Sequence, residues 1–421
     1  MTETTKNTGI YYLGSIPKNW KVAKYGRFTV NRMGETILAS DTVDQGIPVY
    51  SATQDDSIFG YVNETNLLLK KGDFVIPARG NSIGCVSVVK EEKATCSQTT
   101  ICSRNIHDIN NKFLYYCVLG LKSEWFRYEG SAIPQITVEQ VKSNYLAYPS
   151  QEEQARIADF LDKKVSEIDA VISKTKESIE EYKKLKQSII TEAVTKGLDP
   201  NAETKDSGIE WIGLHSSKAE IVRLKFFSYM KGRVGWQGLK FEDFIEEGPY
   251  CITGTDFENG KVNWRKCYHV SQERYEMDPY IQVKNGDLLI TKDGTIGKLA
   301  IINDMPGPAC LNSHLLIIRP LREKFTNKYL YYVMKSDVFL KYYKLIGSGK
   351  TTMDSLSQEN TGNFSFPAYD LQTQNRIVEF LDYQNSKYDE IIFKKEQVLT
   401  ELEQYKKSLI YEYVTGKKEV N

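Results

Sequence analysis

The residues most suggestive of chemistry lie at Gly347-Ser-Gly-Lys350-Thr-Thr352, which has the residue types of a phosphate-binding loop. The full pattern requires a glycine five positions before Gly349, where Lys344 stands. It also requires a buried strand ahead, whereas Tyr329 to Leu345 reads as a helix. ATP binding is not expected there, and Lys350 and Thr351 are left free to meet phosphates or bases. A methyltransferase acting on DNA amino groups would need an Asn/Asp-Pro-Pro-aromatic motif, and Asp278-Pro-Tyr280 falls short of it. The four histidines (His107, His215, His269, His314) lack metal-ligand spacing, and the seven cysteines include no Cys-x-x-Cys pair. Catalysis has no visible home. Scattered reduced thiols, a polar start and no apolar run near ~20 residues fit a cytoplasmic chain without a signal or membrane helix.

What positions such residues is a duplicated scaffold. Gln154-Ala-Arg-Ile-Ala-Asp-Phe-Leu-Asp162 recurs as Gln374-Asn-Arg-Ile-Val-Glu-Phe-Leu-Asp382. In step with it, Ser188, Glu192, Val194 and Thr195 return as Ser408, Glu412, Val414 and Thr415. Gly72-Asp-Phe-Val-Ile76 returns as Gly286-Asp-Leu-Leu-Ile290, and Asn111-Lys-Phe-Leu-Tyr-Tyr116 as Asn327-Lys-Tyr-Leu-Tyr-Tyr332. Thr8-Gly-Ile-Tyr-Tyr-Leu-Gly14 returns as Ser207-Gly-Ile-Glu-Trp-Ile-Gly213. Blocks repeated in one order define a unit that occurs twice: a globular module and then a long helix.

Each module mixes short strands (Asp73 to Pro77, Cys85 to Val89, Leu288 to Thr291, His314 to Arg319) with one helix, near Asn111 to Phe126 or Asn327 to Leu345. The long segments carry apolar residues at alternating three- and four-residue steps, as at Leu161, Val165, Ile168 and Ile172. Neither contains Gly or Pro between Glu152 and Lys196 or between Leu371 and Thr415, so each reads as a coiled-coil strand of about 65 Å. The linker reaches at most ~70 Å. Parallel helices would use nearly all of it to bring the chain back along the first helix, so antiparallel helices are expected. The fold class is therefore α+β, with two strand-rich globular domains separated by two long helices in an antiparallel coiled coil of pseudo-twofold symmetry. The expected divisions are 1–150, helix 151–197, linker 198–218, 219–370 and helix 371–416.

These features resemble the specificity subunits of type I restriction–modification systems. The resemblance rests on Ser207-Gly-Ile-Glu-Trp-Ile-Gly213, the Gly-Asp runs at Gly72 and Gly286, and the helix starts at Gln154-x-Arg-Ile157 and Gln374-x-Arg-Ile377. Two departures, Lys6-Asn-Thr-Gly9 and the lack at His215 to Ala219 of the Ile-Pro-x-x-Trp found at Ile16 to Trp20, lie where the chain enters each module. The resemblance implies a non-catalytic subunit with two target-recognition domains, each reading half of a bipartite double-stranded DNA site. Its helices would set the spacer and dock two methyltransferase subunits, with restriction/translocase subunits completing the assembly. It also implies no cofactor in this chain, S-adenosylmethionine, Mg²⁺ and ATP belonging to the partners.

Charge adds little to the case for DNA. The chain balances 55 Lys+Arg against 55 Asp+Glu, residues 20–150 carry 14 against 13, and residues 219–370 carry 20 against 18. A DNA-facing surface must come from how charges are arranged, and neutrality also suits the rival reading, a coiled-coil protein-interaction scaffold. Base edges are read by Arg, Lys, Asn and Gln, with Ser and Thr adapting. The candidates are Arg79, Asn81, Ser82, Gln98, Thr99, Thr100 and Gln135 in the first module. In the second they are Arg233, Trp236, Gln237, Lys292, Thr295, Asn312, Lys350 and Thr351. Because Arg79-Gly-Asn-Ser stands against Asp293-Gly-Thr-Ile, the two half-sites should differ. Methylome sequencing of cells carrying the system is expected to reveal an asymmetric target; a perfect palindrome would contradict it.

Overall fold

The computed structural model describes residues 5–53, 57–127, 135–233, 239–347 and 356–420. By contacts the chain forms two compact units, one of residues 1–176 with 395–421 and the other of residues 177–394.

Beside a short antiparallel pair, Thr5–Asn7 with Ser15–Pro17, the strands of the first unit are β1 (Lys21–Lys24), β2 (Thr29–Met33), β3 (Ile47–Tyr50), β4 (Ile58–Val62), β5 (Phe74–Pro77), β6 (Ser87–Val88), β7 (Thr95–Cys96), β8 (Thr100–Asn105) and β9 (Tyr145–Tyr148). Helix α1 (Asn111–Trp125) follows β8, and α2 (Gln151–Lys196) follows β9. An antiparallel sheet in the order β2-β8-β5-β6 forms the centre, beside the sheet β4-β3-β7, in which β3 and β7 run parallel, and the pair β9-β1. β5 reads Phe-Val-Ile-Pro and is buried along its whole length, as a strand covered on both faces must be.

The second unit repeats this plan. Beside the pair Thr204–Asp206 with Leu214–Ser216, its strands are β10 (Glu220–Arg223), β11 (Ser228–Lys231), β12 (Phe244–Ile252), β13 (Phe257–Glu258), β14 (Lys261–Val262), β15 (Tyr268–Val270), β16 (Leu288–Thr291), β17 (Leu299–Ile301), β18 (Ala309–Leu311), β19 (Leu315–Pro320) and β20 (Ser365–Ala368). The sheet β11-β19-β16-β17 is extended by β14 and β13; β12 pairs parallel with β18 and antiparallel with β15, and β10 pairs antiparallel with β20. Besides two short helices, Gln272–Glu276 and Gln358–Asn363, the helices are α3 (Asn327–Lys335), α4 (Asp337–Gly347) and α5 (Leu371–Val414). The single helix expected over Asn327 to Leu345 is thus two. Ser336 takes an extended conformation and turns its hydroxyl onto the Val333 carbonyl at 2.6 Å, ending α3.

The repeated residues prove to be those that close the backbone. Gly72 and Gly286 both have φ +90°, a turn for which glycine is suited. The next residue, Asp73 or Asp287, accepts from a backbone N–H three residues back, Lys70 at 2.8 Å or Lys284 at 2.7 Å. The same carboxylates take a two-pronged ion pair from the neighbouring strand, Arg104 onto Asp73 and Arg319 onto Asp287, each with a closest contact of 2.6 Å. Asn111 and Asn327 donate to the Gly72 and Gly286 carbonyls at 2.8 and 2.7 Å, tying each helix start to its turn. Buried Gln154 accepts from Asn110 N at 2.8 Å, and buried Gln374 accepts from Thr326 N at 2.9 Å, which locks the start of each long helix to the module before it. Tyr116 donates to Asp162, and Tyr332 to Asp382.

Both long helices are continuous. Within the first unit the Phe160 and Tyr413 rings lie 4.6 Å apart and Lys406 reaches Asp169 at 2.7 Å. Residue numbers rise on α2 as they fall on α5, so the pairing is antiparallel. Within the second unit Tyr182 and Tyr388 lie 6.0 Å apart, while Thr195 O near the end of α2 accepts from Tyr369 just ahead of α5 at 2.8 Å, again antiparallel. Each core takes in one helix start and one helix end. Ile157 and Leu161 of α2 join Ile410 and Val414 of α5 around Trp20, Phe74 and Phe113. Ile377 and Leu381 of α5 join Ile190 and Val194 of α2 around Leu288, Tyr329 and Phe366.

Replacing Asp287 by alanine removes a turn cap and the partner of a half-buried guanidinium. It is expected to cost about 2 kcal/mol, less than for a fully buried pair because Arg319 keeps some solvent. Urea denaturation measures this, and Asp73→Ala should act similarly through the first unit.

Candidate nucleic-acid interface

At one end of β5, Gly72 is bound by the start of α1. At its other end the chain continues as Ala78-Arg79, flanked on both sides. Ala78 N donates to Thr99 O at 2.8 Å, Ile136 N donates to Ala78 O at 2.9 Å, and Arg79 bridges Gln135 in antiparallel fashion. Arg79 is extended (φ −140°, ψ 148°), and both it and Gln135 are exposed. Gly80 follows at φ +75° and turns the chain away, with no neighbouring atom where a side chain would stand. Beside them Thr99 shares a hydroxyl cluster: Thr99 and Ser97 are 2.8 Å apart, as are Ser51 and Ser97. This edge offers a guanidinium, a carboxamide and hydroxyls.

The second unit builds the same edge at the end of β16. Lys292 N donates to His314 O at 2.9 Å, and Leu356 N donates to Lys292 O at 2.7 Å. Lys292 therefore stands where Ala78 stands, His314 where Thr99 stands, and Asp293 where Arg79 stands. Asn312 N donates to Ile252 O as Ser97 N donates to Tyr50 O, both at 2.9 Å. His314 Nδ1 and Asp293 Oδ1 lie 2.5 Å apart, with the imidazole largely exposed. The intervening loop is held by Thr291, whose hydroxyl donates to Thr295 O at 2.6 Å and accepts from Lys298 N at 2.9 Å. The Thr295 side chain is exposed, and Asn312 accepts from Ser313 N at 2.6 Å.

Of the residues singled out from sequence, Arg79, Thr99 and Gln135 meet at one edge, and Lys292, Thr295 and Asn312 lie around the other. Gln98 is part-buried and accepts from Ile37 N at 3.0 Å, so its carboxamide oxygen braces a loop. Three expectations are corrected. Thr100 is fully buried and donates to Ser97 O at 2.7 Å; Ser82 is buried and donates to Ala52 O at 2.9 Å. Arg233 is 2 % exposed, with Nε on Leu311 O at 2.9 Å and Nη2 against Cys310 Sγ at 3.4 Å. These three hold the backbone from inside. Trp236, Gln237, Lys350 and Thr351 lie outside the described residues, as does the side chain of Asn81. Sequence reasoning passed over Asp293 and His314. The register of Arg79-Gly against Asp293-Gly carried the signal for the first; the second needed the cross-strand bond.

The Cys310 thiol is lowered from its usual range by the hydrogen bond from Cys251, with help from the Arg233 guanidinium, whereas burial raises the Asp256 carboxyl. Both groups are internal. Among the described residues no group of three or more His, Cys, Asp or Glu could hold a metal ion, and no helix is long and apolar enough to cross a membrane. A cleft of about 420 Å³ in the first unit lies between α1 and α5, lined by Tyr11, Gly120, Glu124 and Tyr411 and by none of the candidate readers.

Two copies of one α+β plan, each presenting a polar strand-end edge and each completed by an antiparallel helix pair, define a recognition scaffold. The chain belongs to the family of the type I restriction modification DNA specificity domain, which it matches over residues 17–181 and again over 234–404. Members are the non-catalytic DNA-recognition component of these systems. The chain is 23 % identical over 415 residues to the type I restriction enzyme MjaVIII specificity subunit of Methanocaldococcus jannaschii, covering 96 % of this chain and 93 % of that protein. It is 25 % identical over 321 residues to the putative MjaX specificity subunit of the same organism, covering 74 % and 69 %. A solved chain from a type I R-M system shares the fold with a TM-score of 0.71 at 17 % identity, covering 96 % of this chain and 99 % of that one.

Thr100→Val is expected to lower stability by about 1 kcal/mol through the lost hydroxyl bond while leaving DNA sequence preference unchanged. Urea midpoints and binding to a duplex panel check the two halves of this statement.

Proposed function

We propose that this chain reads a bipartite, asymmetric DNA target, one half through the edge at Arg79, Thr99 and Gln135 and the other through the edge at Lys292, Thr295 and Asn312. The observation carrying this reading is that the same backbone positions in the two units present different side chains. Lys292 and the hydroxyl groups serve phosphates, while the planar and carboxamide groups serve base edges. The long helices set the spacer between half-sites and dock two adenine methyltransferase subunits, and translocase–nuclease subunits join for restriction. S-adenosylmethionine, Mg²⁺ and ATP act in those partners, in the cytoplasm. With net charge zero, part of the phosphate affinity comes from the methyltransferase subunits.

The test is salt-sensitive, sequence-selective retention of duplex DNA by the chain assembled with its methyltransferase partner. Retention of protein ligands without DNA selectivity would favour an interaction scaffold. Adding one heptad to α2 and a matching one to α5 lengthens each by ~10 Å, or about three base pairs. The spacer found by methylome sequencing should grow by that amount with both half-sites unchanged; an unaltered spacer would show that the helices do not set it.

A further inference from the structure

Arg79 and Asp293 hold the same backbone position in their respective units, fixed by the bonds that place Ala78 against Thr99 and Ile136, and Lys292 against His314 and Leu356. Both follow the last residues of a central strand, and both precede a glycine with positive φ, Gly80 at +75° and Gly294 at +66°. What differs is the side chain. One unit offers an exposed guanidinium, a rigid fork of donors. The other offers a carboxylate, which only accepts.

We infer that positions 79 and 293 are equivalent specificity-determining positions that read opposite base-edge patterns, Arg79 a guanine in one half-site and Asp293 an exocyclic amino group, that of cytosine, in the other. This rests on the DNA-reading function proposed above. Guanine presents two acceptors, O6 and N7, to the major groove, and arginine is the side chain that engages both. Cytosine presents the N4 amino donor, which a carboxylate accepts; adenine places its N7 acceptor beside its amino group and so repels one. The surroundings fit these roles. Arg79 is braced through its backbone by the bridge to Gln135, which leaves its side chain exposed. Asp293 has one oxygen, Oδ1, engaged by His314 Nδ1 at 2.5 Å, so the imidazole acts as a positioning residue for the carboxylate. Lys292, adjacent in the chain and half-buried, supplies a cation at the same edge for a neighbouring phosphate.

The experiment uses the full chain assembled with its methyltransferase partner. The probes are duplexes carrying every single base-pair change in the target that methylome sequencing finds. Arg79→Ala should relax discrimination at one G·C pair of one half-site by roughly 5- to 150-fold, leaving the other half-site unchanged. Arg79→Lys, which keeps the charge but loses the fork, should relax the same pair with little loss of overall affinity. Asp293→Ala should relax one pair in the other half-site only, and Asp293→Asn should shift that pair's preference toward adenine, because a carboxamide both donates and accepts. His314→Ala should weaken the Asp293-dependent discrimination, and His314→Asn, which restores a donor, should recover part of it. Uniform weakening across all positions, unchanged discrimination in Arg79→Lys, or relaxation in the same half-site by both alanine variants would overturn the assignment. Wild-type complex that retains DNA without sequence selectivity would instead sink the DNA-reading function itself.

Discussion

Burial of the helix ends carries the rest of the structure. Neither module can cover its own sheet and α1 or α3 with the helix that directly follows it, because that helix contributes only its first turns. The remaining apolar surface is closed by the end of the other long helix: Ile410 and Val414 in the first unit, Ile190 and Val194 in the second. Gly120 makes the close approach possible, since a side chain there would stand 3.0 Å from Ile410 and Val414. In the second unit Tyr329 instead shares its buried hydroxyl between Val194 O at 3.1 Å and Pro367 O at 2.8 Å. A compact unit therefore needs residues far apart in the chain, and antiparallel pairing of α2 with α5 follows from meeting that need in both units.

On this foundation the strand-end edges can vary. The Gly-Asp turn, its arginine and the asparagine of the following helix fix one end of β5 and β16 by side-chain bonds that repeat between the units to within about two tenths of an ångström. At the opposite end the matching positions are paired through the backbone, Ala78 to Thr99 and Lys292 to His314. Backbone bonds do not depend on side-chain identity. Arginine, aspartate, threonine and histidine can thus occupy matching positions without altering the fold. Recognition varies at positions that the main chain pairs, while the repeated side-chain bonds at the other end are kept.

Much of this was legible in the sequence because repetition exposes what a fold requires. The blocks at Gly72 and Gly286, Asn111 and Asn327, and Gln154 and Gln374 stood out as duplicates, and each proved to close a turn or a helix start. The two long helices were legible as such, since an uninterrupted three-and-four pattern without Gly or Pro has few other solutions. The break at Ser336 was missed, because serine is common inside helices and its hydroxyl bond to Val333 O depends on burial.

The candidate readers divide by the same logic. Arg79 and Arg233 are the same residue type beside glycine-bearing segments, and nothing local separates them. One is exposed at a strand end, while the other is enclosed against Leu311 O and Cys310 Sγ. The sequence by itself determined the duplication, the strand-rich modules, the two helices and the unlike loops, because these follow from local periodicity and from comparison of the chain with itself. Only the tertiary structure decided which polar side chains face outward and that Asp293 and His314 stand where Arg79 and Thr99 stand. Exposure and cross-strand register arise from contacts between segments remote in the chain, which no local pattern encodes.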